Sequence, residues 1–172
     1  TADQQNGIDR LFEHDHTLLV GKMGSGKTIV TLSAIAELLA SGTCKRILVV
    51  APLKVCKTVW KQEAANWSHT AHITVSLCVG TEKARYDALA ERSQIVVINF
   101  ENLPWLFKIK WVKNYFDGLV IDELSKLKAV GGAQFKSIRH HLKNFEWRVG
   151  LTGTPVSEDW AGLFGQMMIV DG

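Results

Sequence analysis

Eight consecutive residues, Gly21-Lys22-Met23-Gly24-Ser25-Gly26-Lys27-Thr28, have the types and spacing needed to hold a polyphosphate. They fit G-x-x-x-x-G-K-[ST]. Gly21, Gly24 and Gly26 let the backbone pass close to an anion, with its N–H groups turned inward as a nest that includes the amides of Met23 and Ser25. Lys27 would place a compact positive charge on the β- and γ-phosphates. Thr28 would offer a hydroxyl to Mg²⁺.

A second group follows about ninety-five residues later, in Leu119-Val120-Ile121-Asp122-Glu123. An apolar run delivers two carboxylates at its end. Asp122 would hold Mg²⁺ directly or through water, because that ion takes hard oxygen ligands and keeps several waters. Glu123 would orient or deprotonate the attacking water, the task a hydrolase adds to a phosphate cradle. Apolar runs ending in Asp-Glu are common, and this pair draws its meaning from the phosphate loop before it. A third group, Arg148-Val149-Gly150-Leu151-Thr152-Gly153-Thr154-Pro155, ends in small hydroxyl residues and a tight turn. Thr152 and Thr154 could hydrogen-bond the Asp122/Glu123 region and report the nucleotide state.

Weaker candidates surround these. In Asp3–Phe12, Ile8, Leu11 and Phe12 form a short apolar helical face, and a glutamine such as Gln4 could read an adenine edge through its amide. A solvated polar stretch fits those residues equally well. Pro52, Leu53 and Lys54 follow a buried strand, at the edge of an open α/β sheet where ligands bind. They offer amides and a lysine to phosphates, or simply join strand to helix. His14 with His16, His69 with His72, and His140 with His141 have no metal-site company and read as solvated or capping residues. Lys108, Lys110 and Lys113 alternate with Trp105, Phe107 and Trp111. That is either a basic-aromatic nucleic-acid patch or, the stronger reading, a solvated helix face with buried tryptophans.

The elements that must position these groups are legible as a rhythm. Strands are expected at Thr17–Val20, Arg46–Ala51, Ile73–Cys78, Gln94–Asn99, Gly118–Asp122 and Arg148–Thr152. Most are continuous Val/Ile/Leu runs, as in strands covered by helices on both faces. Helices are expected at Lys27–Leu39, Val55–Trp67, Glu82–Ala90, Ala133–His141 and Asp159–Met168. Leu103–Lys113 stays ambiguous, since Pro104 permits only a helix start or a turn. Alternating strands and helices predict an α/β fold with a mostly parallel central sheet.

Bulk properties narrow the classes. The chain of 172 residues is the length of one domain, and its 47% apolar content supports a full core. A net charge of +3 permits a nucleic-acid partner without arguing for one. Three cysteines, Cys44, Cys56 and Cys78, lack C-x-x-C spacing. They suit a reducing compartment better than a disulfide or zinc frame, so no structural metal is expected. No apolar run approaches membrane-spanning length, and no membrane partner is expected.

In this order the motifs resemble the first RecA-like domain of a superfamily 2 helicase, closest to the Swi/Snf-type translocase branch and its phage-encoded relatives. The resemblance runs from Gln4 to about residue 172. Gln4 with Gly7 is similar to the adenine-reading Q motif, and Gly21–Thr28 to motif I. Ala51-Pro52-Leu53, followed by Trp60 and Glu63, resembles motif Ia and its helix. Asn99-Phe100-Glu101-Asn102-Leu103 resembles motif Ib. Asp122 to Lys128 resembles motif II, and Leu151–Pro155 motif III. The resemblance implies ATP and Mg²⁺ as cofactors and double-stranded DNA as the track. Pro52, Leu53, Lys54, Asn99 and Glu101 would face the DNA backbone. RNA, restriction-complex DNA, or an ATP-switched binding module with little hydrolysis are the alternatives. Ser125 stands where the family usually has histidine, and Ala129 where asparagine is common. The resemblance further implies that residues 1–172 form one RecA-like P-loop domain, the ATP-binding one. The second RecA-like domain, with its arginine finger, would be supplied in cis or in trans. Turnover by the lone domain is therefore expected to be weak. The expected location is the cytoplasm, that of the host for a phage-encoded protein, or the nucleoid.

Overall fold

Continuous β-branched runs become the strands of one parallel sheet. In the computed structural model, which describes residues 1–22, 24–129 and 132–153, these are β1 (His16–Val20), β2 (Ile47–Ala51), β3 (Val75–Cys78), β4 (Ile95–Asn99), β5 (Gly118–Asp122) and β6 (Trp147–Thr152). Their order across the sheet is β1-β6-β5-β2-β4-β3, and every pairing is parallel. Each expected strand is present within two residues of its predicted bounds.

The helices are α1 (Ala2–Glu13), α2 (Lys27–Ser41), α3 (Leu53–Thr58), α4 (Trp60–Asn66), α5 (Glu82–Ala90), α6 (Leu103–Lys108), α7 (Ser125–Ala129) and α8 (Gly132–Arg139). The ambiguous stretch resolves into α6, with Pro104 in its first turn, followed by a 3₁₀ turn at Lys110–Asn114. The expected helix at Asp159–Met168 lies outside the described residues.

One expectation is corrected. Val55–Trp67 is two short helices, because the chain kinks at Val59 (φ −113°, ψ −67°). Thr58 Oγ1 donates back to Lys54 O at 2.9 Å, a bond that bends helices, and β-branched Val59 resists the regular helical backbone. Trp67, the end of the expected helix, is the residue that caps α4 and is 47% exposed.

The pleat sorts the strand residues into two cores. Ile47, Val49 and Ala51, with Val97, Val120 and Val149, pack toward the layer of α1, α2 and α4. Leu48, Val50, Ile98, Leu119 and Ile121 pack toward α6 and α8 on the other face. Each of these Val, Leu and Ile side chains, taken fully from water, contributes about 1.5–3 kcal/mol. All three cysteines are buried in these cores, and burial pushes their thiols up to about 12. They are inert packing residues. No described helix is long and apolar enough to cross a membrane.

Candidate nucleotide site

Strand order sets the site. Because β6 lies between β1 and β5, its last residue, Thr152, meets the glycine loop after β1, and Gly153 meets Glu123 after β5. The register is Val20 beside Thr152 and Asp122 beside Leu151, so the three strands end level. Gly21 N–H then donates to Thr152 O at 3.1 Å, and Leu124 N–H to Leu151 O at 2.9 Å.

The loop has the backbone its glycines allow. Gly24 and Gly26 have φ of +79° and +80°, the left-handed region that side chains with a Cβ avoid. A Cβ on Gly21 would lie 2.6 Å from Ser25 Oγ, so a side chain there would displace the Ser25 hydroxyl. Gly26 caps α2 with no side-chain bond, which leaves the first amides of that helix to face an anion. Lys27 folds its ammonium over the loop and donates to Gly21 O and, at 2.9 Å, to Lys22 O. Met23 lies outside the described residues.

Asp122 and Glu123 have different surroundings. Burial pushes the Asp122 carboxyl above its ordinary value and Glu123 adds to that; the Trp60 indole and the charge of Lys27 act the other way. Trp60 Nε1–H donates to Asp122 Oδ2 at 3.0 Å. Glu123 takes a left-handed backbone (φ +62°), rare for a residue with a side chain. Ser125 Oγ donates to its Oε2 at 3.1 Å, and Gly153 N–H to its Oε1 at 3.3 Å. The serine that departs from the family pattern thus holds the proposed water-activating carboxylate. Gly153, just after β6, touches Glu123 through its backbone amide. The predicted coupling residue Thr152 reaches the glycine loop through its carbonyl, and Thr154 lies outside the described residues.

The remaining sites fall into place around this centre. Gln4 sits against the loop: its Nε2 is 2.6 Å from where a Cβ on Gly26 would be. Thr1 and Gln4 form a reciprocal capping box at the start of α1. The far end of that helix is pinned by Trp147 Nε1–H donating to Leu11 O at 2.8 Å. A cavity of about 540 Å³ opens beside Gln4, lined by Ile29 and Ser33 of α2 and by Trp67 and His69 across from them. Pro52 caps α3 at the end of β2, with Leu53 and Lys54 exposed. Asn99 is buried and turned inward: it donates to Glu101 Oε2 at 2.7 Å and accepts from Asn102 Nδ2 at 2.6 Å. It braces the turn and leaves Glu101 at the surface.

Two readings of side chains are corrected. His69 is bonded to Ser33 Oγ at 2.7 Å, and His141 stacks on Phe107 with ring centroids 4.4 Å apart. His69 is nonetheless exposed, as expected of a solvated histidine, whereas His141 is partly buried and is not freely solvated. Trp111 is 52% exposed and stands edge-on to Tyr115, and Trp105 carries Arg85 over its ring at 4.4 Å, so this stretch does not bury its tryptophans. In the sequence, Trp60 has no role beyond its place in the helix that resembles that of motif Ia. The missed signal is that an indole N–H has no use but to donate, and a buried one needs an acceptor.

Thr28 in the first turn of α2 and Asp122 offer a hydroxyl and a carboxylate, the hard-oxygen donors that suit Mg²⁺. No cluster of three His, Cys, Asp or Glu side chains forms a cation cage among the described residues.

Residues 4–170 match the model of the SNF2-related domain. The chain belongs to that family. This SNF2-related domain is 35% identical over 172 residues to protein p41 of Acyrthosiphon pisum secondary endosymbiont phage 1, covering 95% of the chain and 37% of p41. It is 26% identical over 177 residues to chromodomain-helicase-DNA-binding protein 6 of Rattus norvegicus, covering 93% of the chain and 6% of that protein. Among solved structures, the Sulfolobus solfataricus SWI2/SNF2 ATPase core in complex with dsDNA matches with a TM-score of 0.71 at 22% identity, over 96% of this chain and 33% of that one. The UvsW helicase of bacteriophage T4 matches with the same TM-score at 15% identity, over 96% and 56%. These likenesses establish the helicase-core fold, and family membership makes this a helicase-like ATPase-type domain.

Proposed function

We propose that this domain is the ATP-binding half of a DNA-dependent translocase motor, which hydrolyses ATP with Mg²⁺ when paired with a second RecA-like domain. The observation that carries the reading is the hydrogen-bonded path from Gly21 through Thr152 and Gly153 to Glu123. It ties the phosphate loop to the carboxylate that would prepare water for attack. In this reading Gly21, Met23, Gly24, Ser25 and Gly26 cradle the phosphates, and Lys27 neutralises them. Gln4 selects adenine at the mouth of the adjoining cavity. Thr28 and Asp122 would hold Mg²⁺, whose contribution when bound is to draw off charge from the phosphate oxygens. Glu123 orients the attacking water and accepts its proton.

Duplex DNA as the track is supported by the solved relative whose complex contains it. The chain spans 37% of the phage relative and 6% of the chromodomain relative, which leaves room in such proteins for the second domain. Pro52, Leu53, Lys54 and Glu101 stand at the strand ends beyond the nucleotide site, where a backbone-tracking contact would lie.

The test is ATP turnover at fixed low salt without nucleic acid and with duplex DNA, single-stranded DNA and RNA, using a protein that carries both domains. Duplex DNA is expected to stimulate most. Glu123→Gln is expected to cost about 10²–10⁴ in kcat, the usual weight of a positioned acid–base group, while nucleotide still binds. Stimulation by RNA alone would replace the DNA reading. An unaffected Glu123→Gln variant would remove Glu123 from its role.

A further inference from the structure

We propose that Trp60 is a positioning residue for the metal-binding carboxylate: its indole N–H fixes Asp122 so that one carboxylate oxygen is held by protein and the other is left for Mg²⁺. The proposal rests on the reading of Asp122 as a metal ligand given above.

Trp60 is wholly buried, and its ring packs in the core under α4. An indole has one polar atom and can only donate. Here that donor reaches Asp122 Oδ2 at 3.0 Å, across 62 residues of sequence. The ring cannot swing away, because it is enclosed by the side chains that make the core. The bond therefore restricts the carboxylate's rotation about its last torsion, which is otherwise broad. The Glu123 backbone N–H supports the same carboxylate. Ligands oriented by such partners commonly lose 10- to 100-fold in metal affinity when the partner is removed.

The position of Trp60 adds a second consequence. It begins α4, just past the kink at Val59, and α3 before the kink starts at Leu53. The segment Pro52–Lys54 and the metal carboxylate are thus joined by two short helices and one hydrogen bond.

The test uses Trp60→Phe in the full 172-residue chain, which keeps most of the ring and removes the donor. Affinity for a fluorescent ATP analogue is measured in EDTA and in Mg²⁺, and Mn²⁺ binding to the nucleotide complex is followed by EPR. The expected result is EDTA affinity within about 2-fold of wild type and Mn²⁺ affinity lower by about 10-fold or more. In an Asp122→Ala background, Trp60→Phe should change Mn²⁺ affinity by less than about 2-fold. A purely structural tryptophan would weaken both affinities together. Full Mn²⁺ affinity in Trp60→Phe overturns the proposal alone. A wild-type chain whose nucleotide affinity ignores Mg²⁺ overturns it together with the reading it rests on. Should Trp60→Phe not fold, the wild-type Trp60 indole proton is followed by NMR. A shift when Mg²⁺ joins the nucleotide complex supports the proposal, and an unmoved resonance overturns it.

Discussion

At the scale of single residues, Asp122 and Glu123 are neighbours with opposite surroundings. Glu123 is held by two donors at the edge of the site. Asp122 is largely enclosed, and burial raises its carboxyl. The sign of that shift has a consequence for stability. A carboxyl whose folded pKa lies above its unfolded value stabilises the fold fully below the unfolded value, roughly 3.9. That contribution is lost as pH rises through the folded pKa. At neutral pH the ionised group therefore weighs against folding. Asp122→Asn removes the buried charge and keeps an oxygen for the Trp60 indole. It is expected to raise Tm at pH 7 by a few degrees, while nucleotide binding loses its Mg²⁺ dependence. Calorimetry at pH 7 and near pH 3.5 checks this, since the gain should shrink once the wild-type carboxyl is protonated. A lower Tm for the variant at pH 7 would contradict the burial cost.

At the scale of elements, the strands align the site, and their spacing tolerates little. Gly118 opens β5 where a Cβ would press on Ile47 Cδ1 of β2 and come within 3.3 Å of Trp147 Cε3 of β6. Gly118→Ala is expected to destabilise the domain by about 1–3 kcal/mol, the usual cost of over-packing. A urea denaturation series measures it, and a loss under about 0.5 kcal/mol, ordinary for a surface change, would show that the sheet yields there. Such close contacts explain what was legible in the sequence. Ile47–Ala51 and Ile95–Asn99 announce themselves because a strand covered on both faces must be apolar throughout. The glycine loop is legible because its chemistry is local. The kink at Val59 is not, since it turns on local detail, the back-bonded Thr58 and the β-branched Val59. Trp60 to Asp122 and Gly153 to Glu123 were also hidden. They join residues 62 and 30 apart, and only the strand order brings them together.

At the scale of the whole molecule, the proposed reading gives the site a phosphate loop, a metal carboxylate and a water-activating carboxylate, and leaves open which arginine meets the transferred phosphoryl group. Three of the six arginines are engaged within the fold. Arg46 lies over Tyr115, Arg85 over Trp105, and Arg148 is buried with its Nε–H donating to Phe145 O. An arginine finger is worth about 10³–10⁵ in kcat where one operates. If a second RecA-like domain supplies it, residues 1–172 alone should bind Mg²⁺·ATP and turn it over slowly. Adding the second domain, in cis or in trans, should raise kcat by a factor in that range. Single-turnover assays with saturating ATP separate this from a binding defect, because only the chemical step should accelerate. Brisk turnover by residues 1–172 alone would redirect attention to Arg10, Arg92 and Arg139, or to an arginine from a second copy. A dependence of specific activity on protein concentration would then identify the second copy as its source.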